Sequence, residues 1–547
     1  MLTYSLNSSS VLPRPTEKPW LLLLLALLWL WPGILGHDPW RPGEPYVLAV
    51  IDTMLKTGNW MYPAIQDQPH LSYPPLYYWV SAACVKVFSP WLLPMHDAAR
   101  LATPFFMMLA LSFAGGCGRE LIGRRHGRSV VLIMIGCLGL IDTGHQLTPV
   151  VAEYMGYVAA FYALVIGLRW PALGGALLGA ASAVLFLSSS VLQLGLVWLV
   201  VICLPVFSAW RCKRYAITVV MALLCGLPLV LIWPMSLLRA YPSIFKLWWY
   251  DYALGPLDGF NKIGLFHDIG YYFVTSLWYT WPAWPLAAWT LYRSRRYKEP
   301  VLQLPLMFFV MITLLLMFSG HQSPGYVMPL LLPMSILAAI ELDTIKRGAA
   351  AFLNWFGLMT FGFFGLVLWL GWAALHFGWP SKLAERAYYL SPYYQPKLSI
   401  LATLTACAAT VIWGWAVTRR NLRGRQAITN WAAGITLFWW LLAALALPWL
   451  DAFKSYRPVV ERMEIALPKE ARCVGVAATN LLARVSWEYY AHRYLHPYGH
   501  GQENQCDYRL VIRTESTAWV AEPEWLSIWS GGRPRDKEVF VLQRRIV

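Results

Sequence analysis

The sequence predicts an α-helical polytopic membrane protein of about thirteen spans, followed by a small C-terminal α/β domain. Apolar runs of roughly 17–25 residues, the length a bilayer demands, recur along most of the 547-residue chain. Hydrophobic residues make up 58% of the chain and charged residues 13%, outside the range of soluble globular proteins. From about Asp451 the composition turns to an ordinary soluble mixture with no further long apolar run.

Taken in order, a polar start carrying Arg14 and Lys18 leads into the apolar run Trp20 to Gly36. No small-residue cleavage site follows it, so it reads as an uncleaved first span rather than a signal peptide. Further spans are expected at about 98–117, 129–143, 150–168, 172–187, 190–207, 216–235, 268–292, 301–319, 326–343, 352–376, 398–417 and 428–449. The formal charge of +16 does not point to nucleic acid, because the basic residues sit in small clusters at the ends of apolar runs. With the N-terminus inside, the inner segments hold twenty Lys and Arg against nine in the alternate loops. That bias puts the loop 37–97 and the C-terminus outside.

The chain therefore divides into a membrane domain, 1–450, and an extracytoplasmic domain, 451–547. Within the latter, Tyr456 to Leu467 reads as a helix, and Cys473–Ala477, Tyr508–Ile512 and Val539–Leu542 as short strands. At roughly 95 residues the domain is small enough to lean on the membrane part. The nine cysteines form no CxxC pair and no metal-ligand spacing, and seven lie in or beside apolar segments. Cys473 and Cys506 alone have a water-soluble context, and each adjoins a predicted strand in the region assigned to an oxidising space. A disulfide between them is expected, with two unrelated buried thiols as the alternative.

The first long polar interruption, His37 to Trp79, organises the rest. Pro45 suits a first helical position, Val47, Val50, Ile51, Met54 and Leu55 repeat with helical spacing, and Gly58 ends the run. Such a helix is too short to span; it is expected in the membrane interface, with the i,i+4 pair Asp52 and Lys56 towards water. Around it stand Gly43-Glu44, Met54-Leu55-Lys56-Thr57-Gly58-Asn59-Trp60, and Ser72-Tyr73-Pro74-Pro75-Leu76 followed by Trp79. These pieces resemble the first outer loop of the GT-C type lipid-linked-sugar glycosyltransferases, the group that includes bacterial aminoarabinose–lipid A transferases and protein O-mannosyltransferases. The resemblance extends to span number, loop order and the C-terminal domain. It implies a GT-C-like membrane core and transfer of a sugar from a polyprenyl-phosphate donor.

Several chemical positions of that family are altered. Relatives carry a functional Asp where this chain has Gly43, a phosphate-binding Lys where it has Tyr73, and an Asp where His145-Gln146-Leu147-Thr148-Pro149-Val150 ends in Val150. The family's Leu-Ser-Lys-Gly is here Leu187-Ser188-Ser189-Ser190.

Sugar transfer requires a carboxylate to act as general base or to steady a cationic sugar, and cations to hold the leaving phosphate. Asp38, in His37-Asp38-Pro39-Trp40, is one candidate for the acidic group, its alternative being a turn aspartate before proline. Glu44 matches the second acidic position of the family pair, or serves as a dipole partner at a helix start. Glu153 could stand in for the aspartate missing at Val150, with a structural pair to His145 as the alternative. For phosphate, the outer cations are Arg100, Arg239, Lys246 and Lys262, with His321 in a loop where the family has a basic residue; solvated anchoring is the alternative for each.

The resemblance implies a polyprenyl-phosphate-linked sugar and a lipid or glycan acceptor as partners, in the bacterial inner (plasma) membrane with the C-terminal domain periplasmic or extracellular. No metal site and no cofactor is expected, a divalent cation remaining open. A catalytically silent relative that binds a polyprenyl lipid or partners an active paralogue is the competing reading; a transporter lacks support, since midplane charges are not evident.

Overall fold

A computed structural model describes residues 19–254, 269–319, 322–418, 424–468, 470–499, 506–514, 522–534 and 536–546. The chain opens with α1 (Pro19–Leu30), α2 (Glu44–Thr57), the two-residue strands β1 (Ala64–Ile65) and β2 (Gln68–Pro69), and α3 (Leu76–Phe88). A helical core follows: α4 (Met95–Arg100), α5 (Ala102–Leu121), α6 (His126–Gly136), α7 (Leu138–Thr143), α8 (Val150–Gly167), α9 (Pro171–Ser188), α10 (Val191–Cys203) and α11 (Lys213–Ala240). Next come α12 (Pro242–Leu247), α13 (Ile269–Tyr279), α14 (Ala283–Arg293), α15 (Pro300–Met317) and α16 (Leu331–Ile340). The membrane part closes with α17 (Arg347–Phe377), α18 (Ser381–Leu390), α19 (Ile400–Val417), α20 (Gly424–Leu441) and α21 (Leu447–Lys454).

Among the described residues, eight helical stretches are long and apolar enough to cross a membrane: Met95–Leu121, Val150–Gly167, Pro171–Ser188, Lys213–Ala240, Pro300–Met317, Arg347–Phe377, Ile400–Val417 and Gly424–Lys454. Shorter apolar helices occupy most of the other expected places. The run 268–292 is not one continuous helix but two of eleven residues each, α13 and α14, because Pro282 cannot donate to the helix ladder and interrupts it. Leu76–Phe88, not expected as a span, is a further short apolar helix.

Burial separates the inside of the bundle from its perimeter. The apolar window of α8 is 94% buried, whereas that of α19 is 6% buried, leaving Leu401, Leu404, Val411 and Trp415 exposed. An exposed apolar face of that extent belongs against lipid. Helices α9 and α11 touch backbone to backbone: a Cβ on Gly179 would come within 2.7 Å of the Gly226 nitrogen. Small residues are what allow membrane helices this close an approach.

Beyond α21 the chain forms α22 (Arg457–Ala466), β3 (Val474–Ala477), α23 (Leu481–Ala491), β4 (His496–Tyr498), β5 (Tyr508–Thr514), β6 (Trp525–Gly531) and β7 (Glu538–Arg545). The strands make one sheet in the order β4-β3-β5-β7-β6, with β3 parallel to both neighbours and β5, β7 and β6 antiparallel. Val460, Met463, Trp487, Leu510, Phe540 and Leu542 form its own hydrophobic core. The expected strands are present, and β4, β6 and α23 are added to them. β4 has three residues, too few to carry a periodic signal.

Cys473 and Cys506 are bonded, their Cα atoms 5.2 Å apart, clipping the start of β3 to the approach of β5. The bond closes a loop of 33 residues. On chain-entropy grounds that contributes about 3–4 kcal/mol. Cys473→Ser is therefore expected to lower the denaturant midpoint of the C-terminal domain and, because the freed unfolded chain exposes more surface, to steepen its slope, as read by protease susceptibility across a denaturant series; an unchanged midpoint would show the loop to be held by other contacts.

Candidate active site

Helix α2 forms as the sequence implies: Pro45 occupies its first turn, and Gly58 closes it at φ 69° with its N–H donating to the Met54 carbonyl. Asp52 and Lys56 pair at 2.5 Å, yet they do not simply face water. Lys56 also bonds Glu488 of α23 at 3.1 Å, so the C-terminal domain sits on the polar face of α2.

At the N-terminus of α2, Glu44 is buried and every position around its carboxylate is taken. Arg100 donates to Oε1 and Oε2 at 3.2 Å each, the Leu147 N–H donates to Oε1 at 2.8 Å, and the Trp40 N–H donates to Oε2 at 2.8 Å. Burial works to raise the carboxyl pKa, but the Arg100 charge and these hydrogen bonds outweigh it and keep Glu44 ionised. Arg100 is not an outer cation available to phosphate. It is wholly buried, and its remaining bonds run to Asp97 at 3.1 Å and to the carbonyls of His37, Asp38 and Ile34 at 2.8, 3.0 and 3.5 Å. His37 stays neutral beside it, burial and then the Arg100 charge pushing its pKa down to about 3.

Asp38 is equally committed. Arg457 of α22 grips it with two bonds, 2.9 and 2.5 Å, and the Ser455 hydroxyl donates to it at 2.7 Å. Its carboxyl lies below the ordinary aspartate value because these hydrogen bonds overcome the opposing effect of burial. The contribution of such a group is present above its unfolded pKa of about 3.9 and disappears as pH falls through the folded value. Docking of the C-terminal domain onto the first loop is thus expected to weaken below about pH 4. Limited proteolysis across an acid series would test this, and an Asp38→Asn variant should remain cleavable at neutral pH.

Glu153 has a different environment. It lies one turn into α8, buried, and among the described residues accepts one hydrogen bond, from Ser189 at 2.8 Å. The pair with His145 does not form: its two ring nitrogens face the carbonyls of Ile141 at 2.7 Å and Trp29 at 2.9 Å. Burial pushes His145 down to about 4, so the ring is neutral and its single N–H donates to one of these two carbonyls.

The altered family positions gather around Glu153. Burial, and after it the Glu153 charge, raises the Tyr73 phenol pKa. Ser189 bonds it, and Val150 begins the same helix while packing near Gly325. Gly43 is apart from them, beside the cavity lined by His37, Arg41, Asp142 and Lys454.

The segment that carries Lys246 packs beside the chain just beyond Ser189. The Val191 N–H, two residues after Ser189, donates to the Ala253 carbonyl at 2.9 Å, and Trp248 packs with Phe186, Trp233 and Leu71. The short stretch Trp248–Tyr252 is π-helical, a local widening common at functional sites. Lys246 and Arg239 are exposed at its rim. Lys262 and His321 lie outside the described residues. Among the described residues no group of three or more His, Cys, Asp or Glu could hold a metal ion.

Sequence reasoning missed Arg457 and Ser455, whose link to Asp38 crosses more than 400 residues of chain. Helices α13 to α16 form an open apolar cavity of about 300 Å³ lined by Phe273, Leu277, Phe309, Leu316 and Met334.

No protein-family model matches the chain. In sequence it is similar to the undecaprenyl phosphate-α-4-amino-4-deoxy-L-arabinose arabinosyl transferase of Pseudomonas paraeruginosa, 26% identical over 457 residues, 78% of this chain and 75% of the relative. The enzyme of the same description from Yersinia pestis is 24% identical over 449 residues, 78% of this chain and 76% of the relative. In structure it is similar to ArnT from Cupriavidus metallidurans bound to undecaprenyl phosphate, with a TM-score of 0.61 and 15% identity, covering 96% of this chain and 97% of that one. The apo state of that protein gives a TM-score of 0.63 at 14% identity over the same shares. The chain is a multi-pass membrane protein with the GT-C glycosyltransferase fold.

Proposed function

We propose that the protein is a membrane glycosyltransferase that moves a sugar from a polyprenyl-phosphate donor to a lipid or glycan acceptor at the outer face of the bacterial inner membrane. What carries this reading is one likeness of nearly full length: three quarters of the chain aligns with undecaprenyl-phosphate arabinosyl transferases, and 96% of it superposes on ArnT bound to undecaprenyl phosphate. The thirteen-span topology and a periplasmic C-terminal domain, divided from the membrane domain near residue 450, belong to the same proposal; the twenty-to-nine charge count supports them.

The corner formed by Tyr73, Glu153 and Ser189 supplies the chemistry. Glu153 takes the proton of the acceptor hydroxyl, whose oxygen attacks the anomeric carbon. The bond from that carbon to the phosphate oxygen breaks, and the polyprenyl phosphate departs with the electron pair. Lys246, Arg239, Lys262 and His321 are the groups proposed to meet the leaving phosphate, and the apolar cavity between α13 and α16 is suited to the first isoprene units. Glu153 is chosen over Asp38 and Glu44 because those two carboxylates are saturated by protein donors while Glu153 has acceptor capacity to spare. Asp38 and Glu44 then hold the outer loop in place around it.

The test is a donor-depletion assay on purified protein, with a panel of undecaprenyl-phosphate sugars that includes 4-amino-4-deoxy-L-arabinose. One donor is expected to be consumed in the presence of an acceptor lipid. Tight binding of the donors with no consumption would instead support the catalytically silent reading.

A further inference from the structure

Opposite the candidate site, at the other end of α5, a cleft of about 580 Å³ opens between helices and has no part in sugar transfer. Its rim is charged, with Arg169, Arg214, Arg296, Glu120 and Glu299, and its wall is apolar, with Val165, Ile166, Leu173 and Val301. Its volume is in the roughly 300–1,000 Å³ range of small-molecule sites. Leu173 and Trp170 are 61% and 59% exposed on the bundle's perimeter, so the apolar wall continues onto the surface that faces lipid.

The charges do not cancel. Glu299 is paired with Arg296 at 2.6 Å, and Glu120 stands 4.0 Å from Arg169. Arg214 donates to the Leu168 carbonyl at 3.3 Å and has no carboxylate within ion-pair distance among the described residues. The rim therefore keeps a net positive charge, carried on planar forks suited to phosphate oxygens. Three helices, α9, α11 and α15, also begin at this level without a side-chain cap, which adds positive potential to a site already defined by its arginines.

A charged rim over an apolar wall that opens laterally matches an amphiphile standing in a bilayer. Trp170 and Tyr162, at the same level, suit the depth of lipid headgroups. We infer that this cleft binds one anionic phospholipid, its phosphodiester held by Arg169 and Arg214 and an acyl chain laid along Leu173 and Val165. A net-anionic headgroup such as phosphatidylglycerol fits the residual charge, whereas a zwitterionic one leaves it unmatched. The site is on the membrane face that the charge count makes cytoplasmic, remote from the donor corner, and does not depend on what the protein transfers.

The test uses the purified, delipidated full chain and native mass spectrometry with phosphatidylglycerol or phosphatidylethanolamine added in equal amounts. One tightly held phosphatidylglycerol is expected, preferred over phosphatidylethanolamine by about tenfold and weakened at high salt. Arg214→Gln should reduce that preference about fivefold, and Arg214→Lys should keep most of it. The triple variant Arg169→Gln, Arg214→Gln, Arg296→Gln should abolish it. Should the triple variant not stay monodisperse, the Arg214→Gln and Arg214→Lys pair alone decides. Equal retention of the two lipids by the wild type, or equal preference in Arg214→Gln and wild type, would overturn the proposal. So would displacement of the lipid by excess inorganic phosphate, which would make the cleft a site for free anions.

Discussion

Glu153→Gln is expected to lower sugar transfer by at least about 10²-fold, the usual size of a lost acid–base contribution, while the protein remains folded and still binds donor. The amide keeps the size of the side chain and can still accept from the Ser189 hydroxyl, so the packing around α8 should hold. It cannot take a proton at neutral pH. The informative comparison is Ser189→Ala, which removes the one hydrogen bond seen at Glu153 and leaves the carboxylate. That variant should lose less than Glu153→Gln, because it keeps the carboxylate that takes the proton. Wild-type turnover in Glu153→Gln would transfer the role of base to another group and remove this corner from the mechanism.

The second large effect is expected at Arg100. Its guanidinium, wholly buried, faces Glu44 and Asp97 and also fastens the backbone at His37 and Asp38. Arg100→Met leaves two buried carboxylates without their counter-ion, a loss of about 3–5 kcal/mol for a broken buried pair. Thermal unfolding in detergent should shift accordingly. The double variant Arg100→Met, Glu44→Gln should be less destabilised than the sum of the single changes, since removing both partners leaves no uncompensated charge between them. Strict additivity would mean that Arg100 acts mainly through Asp97 and the two carbonyls.

How far these features were legible in the sequence follows from how local their causes are. Helix α2 was readable to within a residue because Pro45, the apolar spacing and Gly58 all act within a few turns. The perimeter helices were readable because a bilayer imposes one length on every span. The division of the run 268–292 at Trp281-Pro282 was visible in principle, but hydrophobicity alone hides a proline that ends one helix and starts another. The site was less legible. Glu153 stood out as a carboxylate near a span end, yet its partner Ser189 is 36 residues away on a different helix. Asp38 and Glu44 stand out in the sequence as acidic residues beside the motif positions of the first loop, and such residues need an explanation. Their explanation is a set of cations and amides that no spacing rule connects to them.

The link between Asp38 and Arg457 also constrains how the protein can be made. The two residues are 419 positions apart, so the partner of Asp38 leaves the ribosome long after Asp38 itself. At about 5–20 residues per second the interval is about 20–80 s. Through that time the His37–Trp79 loop lacks the surface it is shaped to meet. A nascent chain stopped before α22 would expose it permanently, offering quality-control proteases a mark of incompleteness that the finished molecule conceals.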